Sequence, residues 1–319
     1  MSQFRVVITD HGFPNLRHEE DVITAAGGEL VVAQCKTPEE VLAVAKDADA
    51  LLVQWAPVNA VVIGALTRCK VIVRYGIGYD NVDIAAAKAR GIPVCNVPDY
   101  GVHEVAEHAV SMAVALARHL PALDARLRAG TWKITPDRPM PSLREMTFAT
   151  AGFGRIARSA HHMIRGFGGK CIAYDPFVPA DVMAMEGVEK VEISDLFTRA
   201  DIISLHLPLT AETKHFVNAE RLAEMKPTAI IVNTARGPLI DTAALAAALQ
   251  SDQIAGAGLD VFEAEPLPAD HPLRNAPRAL LTSHVAWYSE SSIPRLQRLA
   301  AEETARGLKG EPLKNQLNK

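Results

Sequence analysis

A chain of 319 residues exceeds the reach of one hydrophobic core, so its length points to two domains. With 49% hydrophobic and 22% charged residues its composition is globular, which excludes a disordered or fibrous chain. A net charge of −4 with both signs interspersed leaves no basic stripe for nucleic acid and no acidic block.

The N-terminus, MSQFRVVITD, enters an alternating apolar run at once, without the charged start, apolar core and cleavage site of a secretory signal. No window reaches the roughly 20 uninterrupted apolar residues of a membrane span. Cys35, Cys69, Cys95 and Cys171 are scattered with no CxxC pair, as free thiols in a reducing compartment are. These features read as a cytoplasmic protein.

In chain order, RVVIT, ELVVAQ, ALLVQ, KVIVR and IPVCN predict strands up to residue 96. Helical patterns separate them, among them PEEVLAVAKDA with its acidic first turn. The longest helical pattern follows, His103 to His119, then a second helix to Ala129 and an aperiodic Pro-rich loop from Gly130 to Pro141. Alternation resumes with MTFAT, GKCIAYD, ADIISLH, TAIIVNT, IAGAGLD and RALLTS, and the chain closes on a helix from Ser291 to Leu308. Strands alternating with helices build parallel sheets covered on both faces, so the fold class is α/β with two such units.

Residues 147–176 read TFATAGFGRIARSAHHMIRGFGGKCIAYDP. Gly152, Gly154 and Ala157 form G-x-G-x-x-A between a strand pattern and a helix pattern, with Phe153, Arg155 and Ile156 between them. The first glycine makes the tight turn, the second admits a pyrophosphate, and the small third residue lets helix and strand pack. The helix N-terminus adds a field that favours phosphate. Asp175, ending the next strand pattern, suits a ribose 2′-hydroxyl and repels a 2′-phosphate, which favours NAD over NADP. An earlier GxG, Gly76 and Gly78, has Asn81 at the third position and must serve otherwise.

On the helix after the fingerprint, His161 and His162 are expected to face solvent or to pack in part. The run HEVAEH at 103–108 is one residue longer than a zinc HExxH, so its histidines diverge and no metal is expected.

Three strand patterns of the second unit lead into polar groups. IIVNT runs to Arg236, GAGLD runs through Val261 to Glu265, and ALLTS runs to His284. Carboxyl ends of parallel strands border the ligand crevice, so the three can converge. A guanidinium binds the carboxylate and carbonyl of a 2-oxo acid, and a histidine supplies the proton that hydride addition at C2 requires. A carboxylate beside the histidine fixes the ring and favours its protonated form.

Beyond these groups, the stretches IVRYGIGYDNVD, GIPVCNVP, GFGRIA, YDP, SLHLPLT, IVNTARGPLID, GLDVFEAEPLP and SHVAWYSE are long and specific. Through them the chain resembles the D-isomer-specific 2-hydroxyacid dehydrogenases, and among these most of all the C-terminal-binding-protein branch. Ala157 at the third fingerprint position and the polar strand TFATA depart from the usual pattern.

The resemblance implies two doubly wound parallel-sheet domains, a Rossmann cofactor domain at 99–288 inserted in a flavodoxin-like substrate domain at 1–98 and 289–319. It implies hinges near Pro98–Gly101 and Trp287–Ser289, a cleft that closes to exclude water, and a homodimer through the long helix after residue 101. By resemblance, Arg236 binds the substrate, Glu265 orients His284, and His284 is the acid/base. The loop Tyr75-Gly76-Ile77-Gly78, shaped by Asn81, would offer N–H groups to the substrate carboxylate, with Arg74 and Trp287 also approaching it. Gly152, Phe153, Gly154, Arg155, Ile156, Asp175, His206, Pro208, Thr213, Thr234, Ala235, Arg236, Asp260 and His284 would hold NAD.

The implied reaction is reversible hydride transfer between NAD(H) and C2 of a short D-2-hydroxy acid or its 2-oxo acid. Arg74 suits a second anionic group on the substrate, and Trp287 an apolar or thioether side chain. The branch also contains NAD(H)-responsive corepressor scaffolds that bind short peptides, which is the second reading.

Overall fold

In the computed structural model, which describes residues 3–319, the first five strands form one all-parallel sheet. They are β1 (Phe4–Ile8), β2 (Gly28–Val32), β3 (Ala50–Val53), β4 (Val71–Arg74) and β5 (Val94–Cys95), in the order β2-β1-β3-β4-β5. That is the flavodoxin-like order. The connecting helices are α1 (Arg17–Ala25), α2 (Pro38–Ala45), α3 (Ala60–Ala65) and α4 (Ile84–Ala89). The acidic start of α2 proves to be a capping box, Thr37 accepting from the Glu40 N–H while the Glu40 side chain accepts in return. The chain returns to this unit at its end, where α12 (Ser292–Lys309) packs on α1, β3 and β4.

The second unit begins with α5 (Val102–Ala117) and α6 (Leu120–Arg128). It continues through β6 (Thr147–Ala151), α7 (Arg155–Ile164), β7 (Lys170–Tyr174), α8 (Ala180–Met185), β8 (Glu189–Lys190) and α9 (Ile193–Arg199). The remainder is β9 (Ile202–Leu205), α10 (Ala219–Glu224), β10 (Ile230–Asn233), α11 (Thr242–Gln250), β11 (Gly256–Leu259) and β12 (Ala279–Leu281). Its sheet is also all parallel, in the order β12-β11-β10-β9-β6-β7-β8. The winding reverses between β6 and β9, and such a switch point opens a crevice at the strand carboxyl ends. The two compact units are residues up to Gly101 with Tyr288–Lys319, and Val102–Trp287. Among the described residues no helix is long and apolar enough to cross a membrane.

β6 explains its own polarity. Thr150 is fully buried, and its hydroxyl lies 3.0 Å from Nε2 of His161 on α7. His161 is therefore not a solvent-facing residue. It is 1% exposed, packed against the rings of Phe148 and Phe153, and only His162 stays outside. Burial, with the nearby His206 and Arg165, lowers His161 from 6.5 to about 3, and burial lowers His206 to about 4. Both histidines are thus neutral in the folded chain and titrate near 6.5 when unfolded. Below pH 6.5 the unfolded state binds more protons, so stability falls with pH until the folded values near 4 and 3. For His161 the loss reaches about 2 kcal/mol at pH 5. The urea midpoint should drop between pH 7 and 5, less steeply in His161→Leu; a flat wild-type midpoint would contradict this.

HEVAEH places its histidines on different partners. His103 Nδ1 lies 3.2 Å from Ser159 Oγ, and His108 Nε2 lies 3.0 Å from Thr282 Oγ1. Among the described residues no group of His, Cys, Asp or Glu is placed to hold a metal ion.

Candidate active site

The glycine turn follows β6. Gly152 has φ +96°, and a Cβ there would lie 2.6 Å from the His206 carbonyl oxygen, so only glycine fits. A Cβ on Gly154 would meet nothing within 4 Å, which leaves that side of the turn open to a ligand. Gly154 starts α7 with no side-chain cap, and the positive end of the helix dipole there favours an anion. At the end of β7, Asp175 accepts the Phe153 and Phe177 N–H groups, each at 2.9 Å. Its carboxylate therefore also fastens the turn, and its remaining lone pairs are left for ribose hydroxyls.

Other expected cofactor residues are more varied. Phe153 puts its side chain wholly into the core, and Ile156 packs against another core cluster, so the backbone is what they offer a ligand. Arg155 is exposed at the start of α7. His206 lies 2.9 Å from Ser204 Oγ. The Thr213 hydroxyl donates to the Pro208 carbonyl at 2.7 Å, closing their loop on itself. Thr234 is 8% exposed, and its hydroxyl has no partner among the described residues. A buried orphan hydroxyl, an open glycine face and an uncapped helix start fit a dinucleotide.

Asp260 departs from expectation. It is fully buried, and its carboxylate accepts from Thr282 Oγ1 at 2.5 Å and from the Val285 and Ala286 N–H groups at 2.9 Å each. These bonds face the chain, so Asp260 shapes the loop carrying His284 rather than presenting its side chain to nicotinamide.

Arg236, Glu265 and His284 follow three neighbouring strands, β10, β11 and β12. Asn233 at the end of β10 accepts the Ala235 N–H at 3.0 Å and donates to the Arg236 carbonyl at 2.8 Å. The side-chain turn fixes where Arg236 begins. Glu265 accepts the Phe262 N–H at 2.9 Å through one oxygen and meets His284 Nδ1 at 2.6 Å through the other. Burial raises the Glu265 carboxyl, but the bonds from His284 and Phe262 and the charge of Arg236 outweigh it. The net result lies below the usual carboxylate range. An ionised Glu265 can only accept, so Nδ1 carries a proton and Nε2 is left for exchange. The side chains of His284 and Glu265 are 40% and 35% exposed, so the pair is open to a reactant.

His284 has φ +55°, a conformation that costs a non-glycine residue roughly 1–2 kcal/mol. It is held there from both sides. Its N–H donates to the Asp260 carbonyl at 2.7 Å, and its carbonyl accepts the Trp287 indole N–H at 2.9 Å. Trp287 thus anchors the histidine backbone, a role its sequence position does not reveal.

In the first unit Arg74 ends β4 and its guanidinium lies over Gly76, where φ is +122° and a Cβ would sit 2.0 Å from Nη1. Tyr75 corrects the expected loop. Its side chain is 1% exposed with the hydroxyl 2.9 Å from Glu19, and its N–H is already given to Val53. The N–H groups left for an anion are those of Gly76, Ile77 and Gly78. Asn81 ties the loop to Ala56, its side chain donating at 2.9 Å.

Residues 110–286 match the family described as "D-isomer specific 2-hydroxyacid dehydrogenase, NAD binding domain". A D-3-phosphoglycerate dehydrogenase of Mycobacterium bovis is 40% identical over 302 residues, 93% of this chain and 56% of that protein. The chain thus spans little more than half of that relative. A glyoxylate reductase of Korarchaeum cryptofilum is 38% identical over 278 residues, covering 86% of this chain and 83% of the relative. The structure of a D-lactate dehydrogenase from Aquifex aeolicus, complexed with NAD and lactic acid, superposes with a TM-score of 0.89 at 25% identity. That match covers 98% of this chain and 99% of the other. The chain belongs to the D-isomer-specific 2-hydroxyacid dehydrogenase family.

Proposed function

We propose that the protein interconverts a short D-2-hydroxy acid and its 2-oxo acid with NAD(H), using His284 as acid/base, Glu265 as its orienting carboxylate and Arg236 as the substrate anchor. The observation that carries this is the 2.6 Å Glu265–His284 pair, set beside the Arg236 loop on the sheet that bears the glycine turn. When bound, NADH supplies the hydride that reaches C2. Arg236 neutralises the substrate carboxylate and polarises the carbonyl. His284 gives its Nε2 proton to the alkoxide oxygen, and Glu265 stabilises the imidazolium from which that proton comes. In the reverse direction Nε2 takes the proton back.

A short acid, from glyoxylate or pyruvate to about six carbons, is the substrate class this reading favours. A relative named glyoxylate reductase supports the small end of that range. Arg74 beside Gly76 suits substrates with a second anionic group, while Trp287 would select an apolar or thioether side chain. The relatives are named as dehydrogenases and reductases, which lends no support to a corepressor scaffold.

The test is NADH oxidation against glyoxylate, pyruvate, hydroxypyruvate, 2-oxobutyrate, a thioether acid, phenylpyruvate and anionic analogues, with NADPH as control. Turnover of one acid to its D product is expected. Silence across the panel with NADH tightly bound would reject the reaction. Asp175→Ala should raise the NADH Kd and narrow the preference for NADH, since the carboxylate no longer repels a 2′-phosphate. A wild type that prefers NADPH would refute the assignment of Asp175.

A further inference from the structure

The loop that carries His284 is wired to a helix distant in sequence. Thr282 Oγ1 donates its single proton to the Asp260 carboxylate at 2.5 Å. It must therefore accept from His108 Nε2, which lies 3.0 Å away on α5. The bond chain runs from His108 N–H to Thr282 O–H to the Asp260 carboxylate. That carboxylate in turn receives the Val285 and Ala286 N–H groups. His108 Nε2 is also 3.8 Å from the Asp260 carboxylate itself.

We infer that His108 and Thr282 are positioning residues for His284, acting through Asp260, an inference that rests on the acid/base reading of His284. The physical need lies in the backbone. His284 stands at φ +55°, and the N–H groups of the two residues after it are both given to the Asp260 carboxylate, whose orientation therefore fixes that side of the loop. Asp260 is fully buried and requires every donor it has. Thr282 supplies one of them, and His108 fixes the direction in which that hydroxyl points. Loss of either frees the loop to relax out of the left-handed region, which swings the His284 ring away from Glu265. Neither residue touches the reacting atoms, so cofactor binding should be spared.

The test uses the full chain with Thr282→Val and His108→Leu, and with Thr282→Ser and His108→Gln as conservative partners that retain the donor. Two readouts are taken. One is the single-turnover rate of NADH oxidation by glyoxylate, with the NADH Kd alongside. The other is the downfield imidazole Nδ1–H resonance of the histidine paired with Glu265, identified by its loss in His284→Gln. Thr282→Val and His108→Leu should each slow hydride transfer about tenfold or more, leave the NADH Kd within about twofold, and abolish the resonance. Thr282→Ser and His108→Gln should recover rate and resonance together. A fall in Tm with rate and resonance unchanged would overturn the inference and leave a purely structural bond. If wild type did not turn glyoxylate over, the reaction on this probe would fail, while the resonance would still decide the positioning.

Discussion

His284→Ala is expected to lower kcat by about 10²–10⁴-fold while NADH binds as before, the usual worth of a positioned acid/base. The size follows from the geometry. Glu265 occupies Nδ1 at 2.6 Å, so one nitrogen alone exchanges protons, and alanine removes it without opening the core. The alkoxide then depends on water for its proton. Alanine also takes the imidazole partner from Glu265 and leaves that carboxyl with the Phe262 N–H, so part of the loss is electrostatic rather than proton transfer. Glu265→Gln should therefore cost less, because the amide oxygen still accepts from Nδ1 but no longer balances the imidazolium. Fluorescence titration with NADH separates the outcomes. Lost NADH binding in His284→Ala would mean that the residue holds the cofactor or its own loop rather than the proton.

What the sequence reveals of this arrangement is the backbone plan more than the direction of side chains. The strand runs from RVVIT to RALLTS become β1–β7 and β9–β12, because buried parallel strands need continuous apolar residues. β8 escapes such a reading because its two residues, Glu189 and Lys190, sit at a sheet edge and carry no apolar run. The fingerprint glycines are legible for the same local reason, since a turn and a close approach are encoded at the residue itself. Side chains beside them are not. Phe153 turns into the core, Tyr75 buries its ring onto Glu19, and Asp260 spends its carboxylate on its own loop. Each of these depends on a partner brought close by the fold, and spacing in one chain segment cannot supply it. His161 shows the same limit from the other side: its neutral, buried state needs Thr150 across the helix–strand contact. The pairing of Glu265 with His284 also spans strands, yet it is legible, because both residues follow strand ends of one sheet and the family resemblance marks their roles.

Gly237→Ala should disable the protein through its backbone rather than its chemistry. A Cβ at Gly237 would lie 1.9 Å from the Phe262 carbonyl carbon, 2.0 Å from its oxygen and 2.5 Å from the Glu263 nitrogen. None of these is the end of a flexible side chain, so the segment from Phe262 onward must move. That segment is pinned at both ends. Glu263 pairs with His215 at 2.7 Å and accepts from Thr242, while Glu265 accepts from Phe262 and meets His284. Overpacking in a core costs about 1–3 kcal/mol, and a fixed backbone neighbour places this site at the upper end or beyond. The expected result is a lowered Tm together with a kcat close to that of His284→Ala, since a displaced Glu265 no longer orients the ring. Gly154→Ala is the contrast that isolates the cause. Its added methyl meets nothing within 4 Å, so Tm should hold while the NADH Kd rises, because the methyl fills the approach left for the pyrophosphate. A Gly237→Ala protein with wild-type Tm and kcat would show that the loop bearing Glu265 shifts freely. The Glu265–His284 distance would then not be what sets the rate.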